Sequence, residues 1–119
     1  MFQKNSTTIP SDSSGFLLVK VIQTRKCSTR RHAKLTRFLR VTVRNTVPEI
    51  AFRRKKKYRA IVIRTNHIIS KKWGHYYWFS DNAIVVLKKR MNAVAKEIYG
   101  PTSIDFKIRK FRVAFKFIY

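Results

Sequence analysis

Cysteine occurs once in these 119 residues, as Cys27. That excludes an internal disulfide and a cysteine-built zinc site. Glycine and proline number three each and 13% of residues are aromatic, which excludes a disordered or low-complexity chain. The apolar runs, such as Phe16-Leu17-Leu18-Val19 and residues 83–87, are far shorter than the roughly 20 residues of a membrane span. Negative charge is scarcest of all. Five acidic residues face 28 Lys plus Arg, a formal net charge of +23, and Glu49 is the one acid between residues 16 and 80. A folded chain of this mass exposes roughly 6,800 Å², on the order of one uncompensated positive charge per 300 Å². Such a surface repels itself, and small acidic substrates cannot neutralise it. Nucleic acid is the leading partner, with an anionic membrane second.

The same scarcity argues against catalysis. Asp12, Glu49, Asp81, Glu97 and Asp105 lie far apart, whereas acid–base work needs two carboxylates side by side. His32, His67 and His75 fit no zinc spacing. Cys27 has basic neighbours but no identifiable catalytic partner near His32. No phosphate-cradling glycine loop is present. The expectation is a non-enzyme with no cofactor, no metal and no small-molecule substrate.

What remains reads as one mainly β domain. Residues 1–15 are polar and end in the turn cluster Asp12-Ser13-Ser14-Gly15. Residues 16–23 predict a strand and most of 25–37 a basic loop. Between 38 and 44, Leu39, Val41 and Val43 alternate with Arg40, Thr42 and Arg44, which predicts a half-buried strand with a basic outer face. Val47-Pro48 ends it, since proline cannot donate to a ladder. After the Arg53-Arg54-Lys55-Lys56-Lys57 run, residues 58–64 predict another strand. Residues 66–79 predict a hairpin turning near Trp73-Gly74, and 83–87 a buried strand. Strand candidates joined by tight turns point to a small barrel. Residues 91–98 have helical spacing, and Phe111, Val113, Phe115, Phe117 and Tyr119 alternate as a strand would.

The basic segments are the candidate interface, because lysine and arginine on loops neutralise phosphates and release counterions. Exposed rings of the Tyr76-Tyr77-Trp78-Phe79 run, beside Lys71, Lys72 and His75, would stack on unpaired bases or meet a protein.

An ordered set of motifs goes further. It runs Asp12-Ser13-Ser14-Gly15, Arg30-Arg31-His32-Ala33, residues 38–48 and Ala60-Ile61-Val62-Ile63-Arg64-Thr65. It continues with Trp73-Gly74, then Phe79, Asn82, Val85 and Val86, then Ile98-Tyr99-Gly100-Pro101. Almost end to end, the set resembles the universal large-subunit ribosomal protein fourteen family in its bacterial-type form. The chain departs from that family at Trp73, where an Asp, Asn or Ser precedes the hairpin glycine. It departs again at Lys96-Glu97, which replace a Thr-Arg pair used there to bind a silencing factor.

The resemblance implies a five-stranded β-barrel over about residues 1–100 with a projecting hairpin, and a C-terminal element over about 101–119. It implies an extended 91–98 and short helices in the tail, against the local patterns. It implies a structural constituent of the ribosome that binds large-subunit ribosomal RNA, touches ribosomal protein nineteen and helps form bridges to small-subunit ribosomal RNA. Arg30, Arg31, Arg53 to Lys57, Lys71 and Lys72 would clamp phosphates, and Arg40, Arg44, Arg59 and Arg64 would be rigid strand-borne contacts. Arg25, Lys26, His32, Lys34 and Arg37 complete the RNA-facing set. Pro48, Tyr76, Trp78, Tyr99, Gly100 and Pro101 would make protein or bridge contacts.

No apolar stretch precedes Pro10 and no arginine precedes Arg25, so no signal or presequence is expected. With the wealth of Phe, Tyr, Ile and Lys, this points to a protein encoded and made inside a mitochondrion; a plastid or bacterial cytoplasm is the alternative. The rival function is a free-standing, non-specific nucleic-acid binder.

Overall fold

A computed structural model describes residues 2–24, 32–48, 56–88, 91–106, 111, 115, 117 and 118. Its strands are β1 (Phe2–Gln3), β2 (Thr7–Thr8), β3 (Phe16–Thr24), β4 (His32–Ala33), β5 (Phe38–Thr46), β6 (Lys57–Arg64), β7 (Ile69–Ser70), β8 (Tyr76–Tyr77) and β9 (Ala83–Leu87). Five of them form one antiparallel sheet in the order β2-β3-β5-β6-β9. β1 pairs with β4, and β7 with β8 forms the hairpin. The strands predicted between residues 16 and 87 all form, and the alternation in β5 does as its pattern requires: Leu39, Val41 and Val43 are buried while Arg40 and Arg44 are exposed. The fifth member of the sheet, β2, comes from the stretch whose polar composition had not marked it as strand.

β6 and β9 explain the architecture. Their apolar runs lack polar alternation, so both faces must be covered. On one face Ala60, Val62, Ile84 and Val86 join Phe2, Phe16, Val19, Val21, Leu39, Val41 and Val43 in the main core. On the other, Ile61, Ile63, Ala83, Val85 and Leu87 are covered by Ile98, Phe106, Phe111 and Phe115. The C-terminal part of the chain is thus the lid of a second core. Residues 91–98 form no α-helix, against the local spacing: Ala93 bridges Leu87, the chain bends at 94–96, and Ile98 bridges Asp12. In the tail, Phe111 and Phe115 are buried whereas Phe117 is 58% exposed, so the aromatic alternation does not continue as one strand face. Val113 and Tyr119 lie outside the described residues.

The expected barrel is corrected in one respect: among the described residues the sheet is not closed by a ladder. Its two edges do meet. Residues 8–12 run alongside β9, with Pro10 bridging Ile84 in parallel, Ser11 N–H bonding the Ile84 carbonyl at 3.0 Å and Thr8 Oγ1 reaching the Asn82 carbonyl at 3.4 Å. Pro10 has no N–H to donate. Two residues on, the Asp12 carboxylate accepts the Val86 N–H at 3.1 Å, where a backbone carbonyl would serve in a regular ladder. The Ser14 hydroxyl and N–H also bond that carboxylate, closing the expected turn. Burial nevertheless pushes the Asp12 carboxyl above its ordinary range, the hydrogen bonds only partly offsetting it. One backbone bridge together with the Thr8 and Asp12 side chains, rather than a continuous ladder, closes the seam.

Candidate nucleic-acid interface

The outer face of the sheet divides in two. Where Ile61 and Val85 lie, the C-terminal lid covers it; toward the other end of β5 and β6 it is bare and cationic. Arg40 on β5 sits directly opposite Arg59 on β6, and Thr42 opposite Lys57. On β3, Gln23 pairs with Arg40, and Lys20 with Thr42. Arg40, Arg44, Lys57 and Arg59 are exposed. Like charges set directly across a strand pair repel. Among the described residues no ion pair relieves them, because the ion pairs there are Arg64 with Asp81 and Lys71 with Asp105. A rigid sheet therefore holds several cations at fixed spacing without counter-charge, an arrangement complementary to a row of phosphates. Lys20 belongs to this face and was missed; its place as the lone cation inside an apolar strand was the signal.

A second cationic region faces the hairpin. A groove of about 800 Å³ is lined by Lys34, Arg37, Lys71 and Lys72 together with Trp73 and Tyr77. Lys71 is partly engaged already, 3.8 Å from Asp105 and 4.9 Å above the Tyr77 ring. Lys56 stands 5.8 Å from the Tyr58 ring centroid. His32 is half-buried in β4, and its buried Nδ1 has no hydrogen-bond partner among the described residues. Arg25, Lys26, Arg30, Arg31, Arg53, Arg54 and Lys55 lie outside the described residues.

Arg64 is the correction. Expected as a strand-borne RNA contact, it is only 6% exposed. The β6–β9 register shifts between Val62 and Arg64, a bulge of the kind that re-aims side chains. All five of its N–H groups are spent inside the chain. Nε and Nη2 donate to Asp81 at 3.1 and 3.3 Å, and Nη2 donates to Ser11 Oγ at 2.7 Å. Nη1 donates to the Tyr99 and Pro101 carbonyls at 2.9 and 3.1 Å. Gly100 lies between those carbonyls at φ +82, and a Cβ there would collide with the guanidinium. Arg64 therefore ties β6, the N-terminal seam and the 99–101 loop together.

Of the candidate protein contacts, Tyr76, Trp78 and Pro101 converge on an apolar groove of about 530 Å³, which Pro48 and Tyr99 do not line. Tyr77 anchors the hairpin by donating to Asp105 Oδ2 at 2.6 Å. Burial, and then that carboxylate acceptor, push its phenol up to about 12. A raised folded pKa means the folded state holds this proton more tightly, so stability falls as pH climbs from the ordinary tyrosine value near 10 toward 12. An absorbance titration of tyrosinate should show, beside Tyr58, whose phenol burial also raises, a late step from Tyr77 among the five tyrosines. Tyr77→Phe should remove that step and flatten the alkaline stability slope.

Among the described residues no three His, Cys, Asp or Glu gather as a metal site, and no helix is long and apolar enough to cross a membrane. Sheet and surface together define a class: a small β protein whose open face is a fixed cationic array. A model of the family described as Ribosomal protein L14p/L23e matches residues 1–116, and the chain belongs to that family of structural ribosomal proteins, which are not enzymes. It is a divergent member. The Large ribosomal subunit protein uL14m of Tetrahymena pyriformis is 30% identical over 115 residues, 97% of either chain.

Proposed function

We propose that this protein binds large-subunit ribosomal RNA in a mitochondrial ribosome, fixing several RNA segments in one mutual geometry and helping to form bridges to small-subunit RNA. The carrying observation is the Arg40–Arg59 pair, held opposite on rigid strands with no carboxylate partner among the described residues. Such a pair is stabilised only when a polyanion lies across it. Lys57, Arg44 and Lys20 extend the same face, and the Lys34–Arg37 loop with Lys72 supplies a second grip. The groove of Tyr76, Trp78 and Pro101 suits a neighbouring large-subunit protein, with ribosomal protein nineteen the partner that the family resemblance implies. The uL14m relative supports the mitochondrial setting.

Quantitative mass spectrometry across a sucrose gradient of mitochondrial extract tests this reading. The expected result is one copy per large subunit and per assembled ribosome, retained in moderate salt. A peak at the top of the gradient, or with DNA, would instead make it a free nucleic-acid binder.

A further inference from the structure

The hairpin tip carries a large side chain that the fold does not use. Gly74 N–H bonds the Lys71 carbonyl at 3.1 Å, Lys71 N–H bonds the His75 carbonyl at 2.8 Å, and Gly74 has φ +80. This is a three-residue hairpin loop, a tight turn followed by a left-handed glycine, with Lys72 and Trp73 at its corners. The corner that Trp73 occupies accepts most residues, so the turn itself does not demand an indole. Trp73 is 85% exposed, more than any other large hydrophobic residue described.

Its surroundings specify a ligand. The groove beneath the tip offers Lys34, Arg37 and Lys72 as exposed cations. The one carboxylate among its described lining residues, Asp105, is already bonded to Tyr77 and paired with Lys71. An exposed aromatic face beside several cations that pair with no carboxylate among the described residues matches a base and its flanking phosphates. A duplex offers no free base face. Trp73 also borders the other, apolar groove, where a protein partner would find its contact with Tyr76, Trp78 and Pro101; the cations Lys34, Arg37 and Lys72 line only the first.

We propose that the hairpin groove takes one unpaired RNA nucleotide, its base stacked on Trp73 and its flanking phosphates against Lys34, Arg37 and Lys72. This rests on the RNA-binding reading above and adds what that reading lacks, a site selective for single strands.

The test uses the full chain carrying Trp78→Phe, which leaves Trp73 as the sole tryptophan. Titration with a single-stranded RNA should quench its fluorescence, whereas a fully paired RNA should bind without comparable quenching. Trp73→Ala should weaken single-strand binding roughly tenfold and Trp73→Phe by less, with duplex affinity unchanged. Trp73 is exposed, so these variants should keep the wild-type unfolding curve. Binding of both RNAs with no preferential quenching and no effect of Trp73→Ala would overturn the stacking site while leaving the cationic face intact. Failure to bind either RNA would overturn the broader reading as well. Unchanged RNA affinity with lost binding to a neighbouring large-subunit protein would make the tip a protein contact, and the proposal would be wrong.

Discussion

Arg64→Ala should cost about 3 kcal/mol of folding stability, the lower end of what breaking a buried ion pair does. The lower end applies because Asp81 is half-exposed and water can take over its side of the pair. The rest of the loss falls on the Tyr99 and Pro101 carbonyls and on Ser11, which lose their donor together. Arg64→Lys should recover little, since one ammonium cannot reproduce a planar fork serving four partners. Gly100→Ala supplies the internal control. Alone it should be severely destabilising, because its Cβ displaces the guanidinium and its backbone is left-handed. Combined with Arg64→Ala it should add only about 1–2 kcal/mol, the cost of the backbone conformation. Urea unfolding of the four proteins in moderate salt closes the cycle. Simple additivity would mean that Gly100 and Arg64 do not share one packing site.

The second large effect belongs to RNA affinity. Replacing both Arg40 and Arg59 by alanine should weaken binding to large-subunit RNA roughly 30-fold at physiological ionic strength, and the slope of log affinity against log salt should fall by about 2. Reversing both charges to glutamate should go further and impair incorporation into large subunits. Folding should hold or improve, since the substitutions remove a repulsion rather than a contact. That combination separates the reading from a structural one: weaker RNA binding with unchanged or higher unfolding midpoints is the expected pattern. An unaltered salt slope would reduce this face to ordinary solvated surface.

The strands of the main sheet could be read from the sequence wherever burial is one-sided or total. The Leu39-Val41-Val43 alternation announced β5, and the unbroken apolar run from Ala83 to Leu87 announced β9. β2 could not be read, because two threonines have no pattern; their strand exists only because β3 lies beside them. The helical spacing of Met91, Val94, Ala95 and Ile98 misled for a related reason. Val94 packs against the first core whereas Met91 and Ile98 pack in the second, not on one helix face. Arg64 shows the limit for site residues. An arginine at the end of a strand looks like its exposed neighbours Arg40 and Arg59, and only the convergence of Ser11, Asp81 and the 99–101 carbonyls reveals an internal role. Trp73 was visible as a turn residue, but its exposure was not.

The two-sided burial of β6 and β9 also has a consequence in time. Synthesis runs from the N-terminus, so Ile61, Ile63, Val85 and Leu87 leave the synthesising ribosome before the residues that cover them, Ile98, Phe106, Phe111 and Phe115. Until those arrive, the sheet presents a sticky apolar flank to whatever is nearby. A product cut short before Phe106 keeps that flank permanently and is marked for chaperones and proteases as unfinished. The lid of the second core thus doubles as a proof of completion.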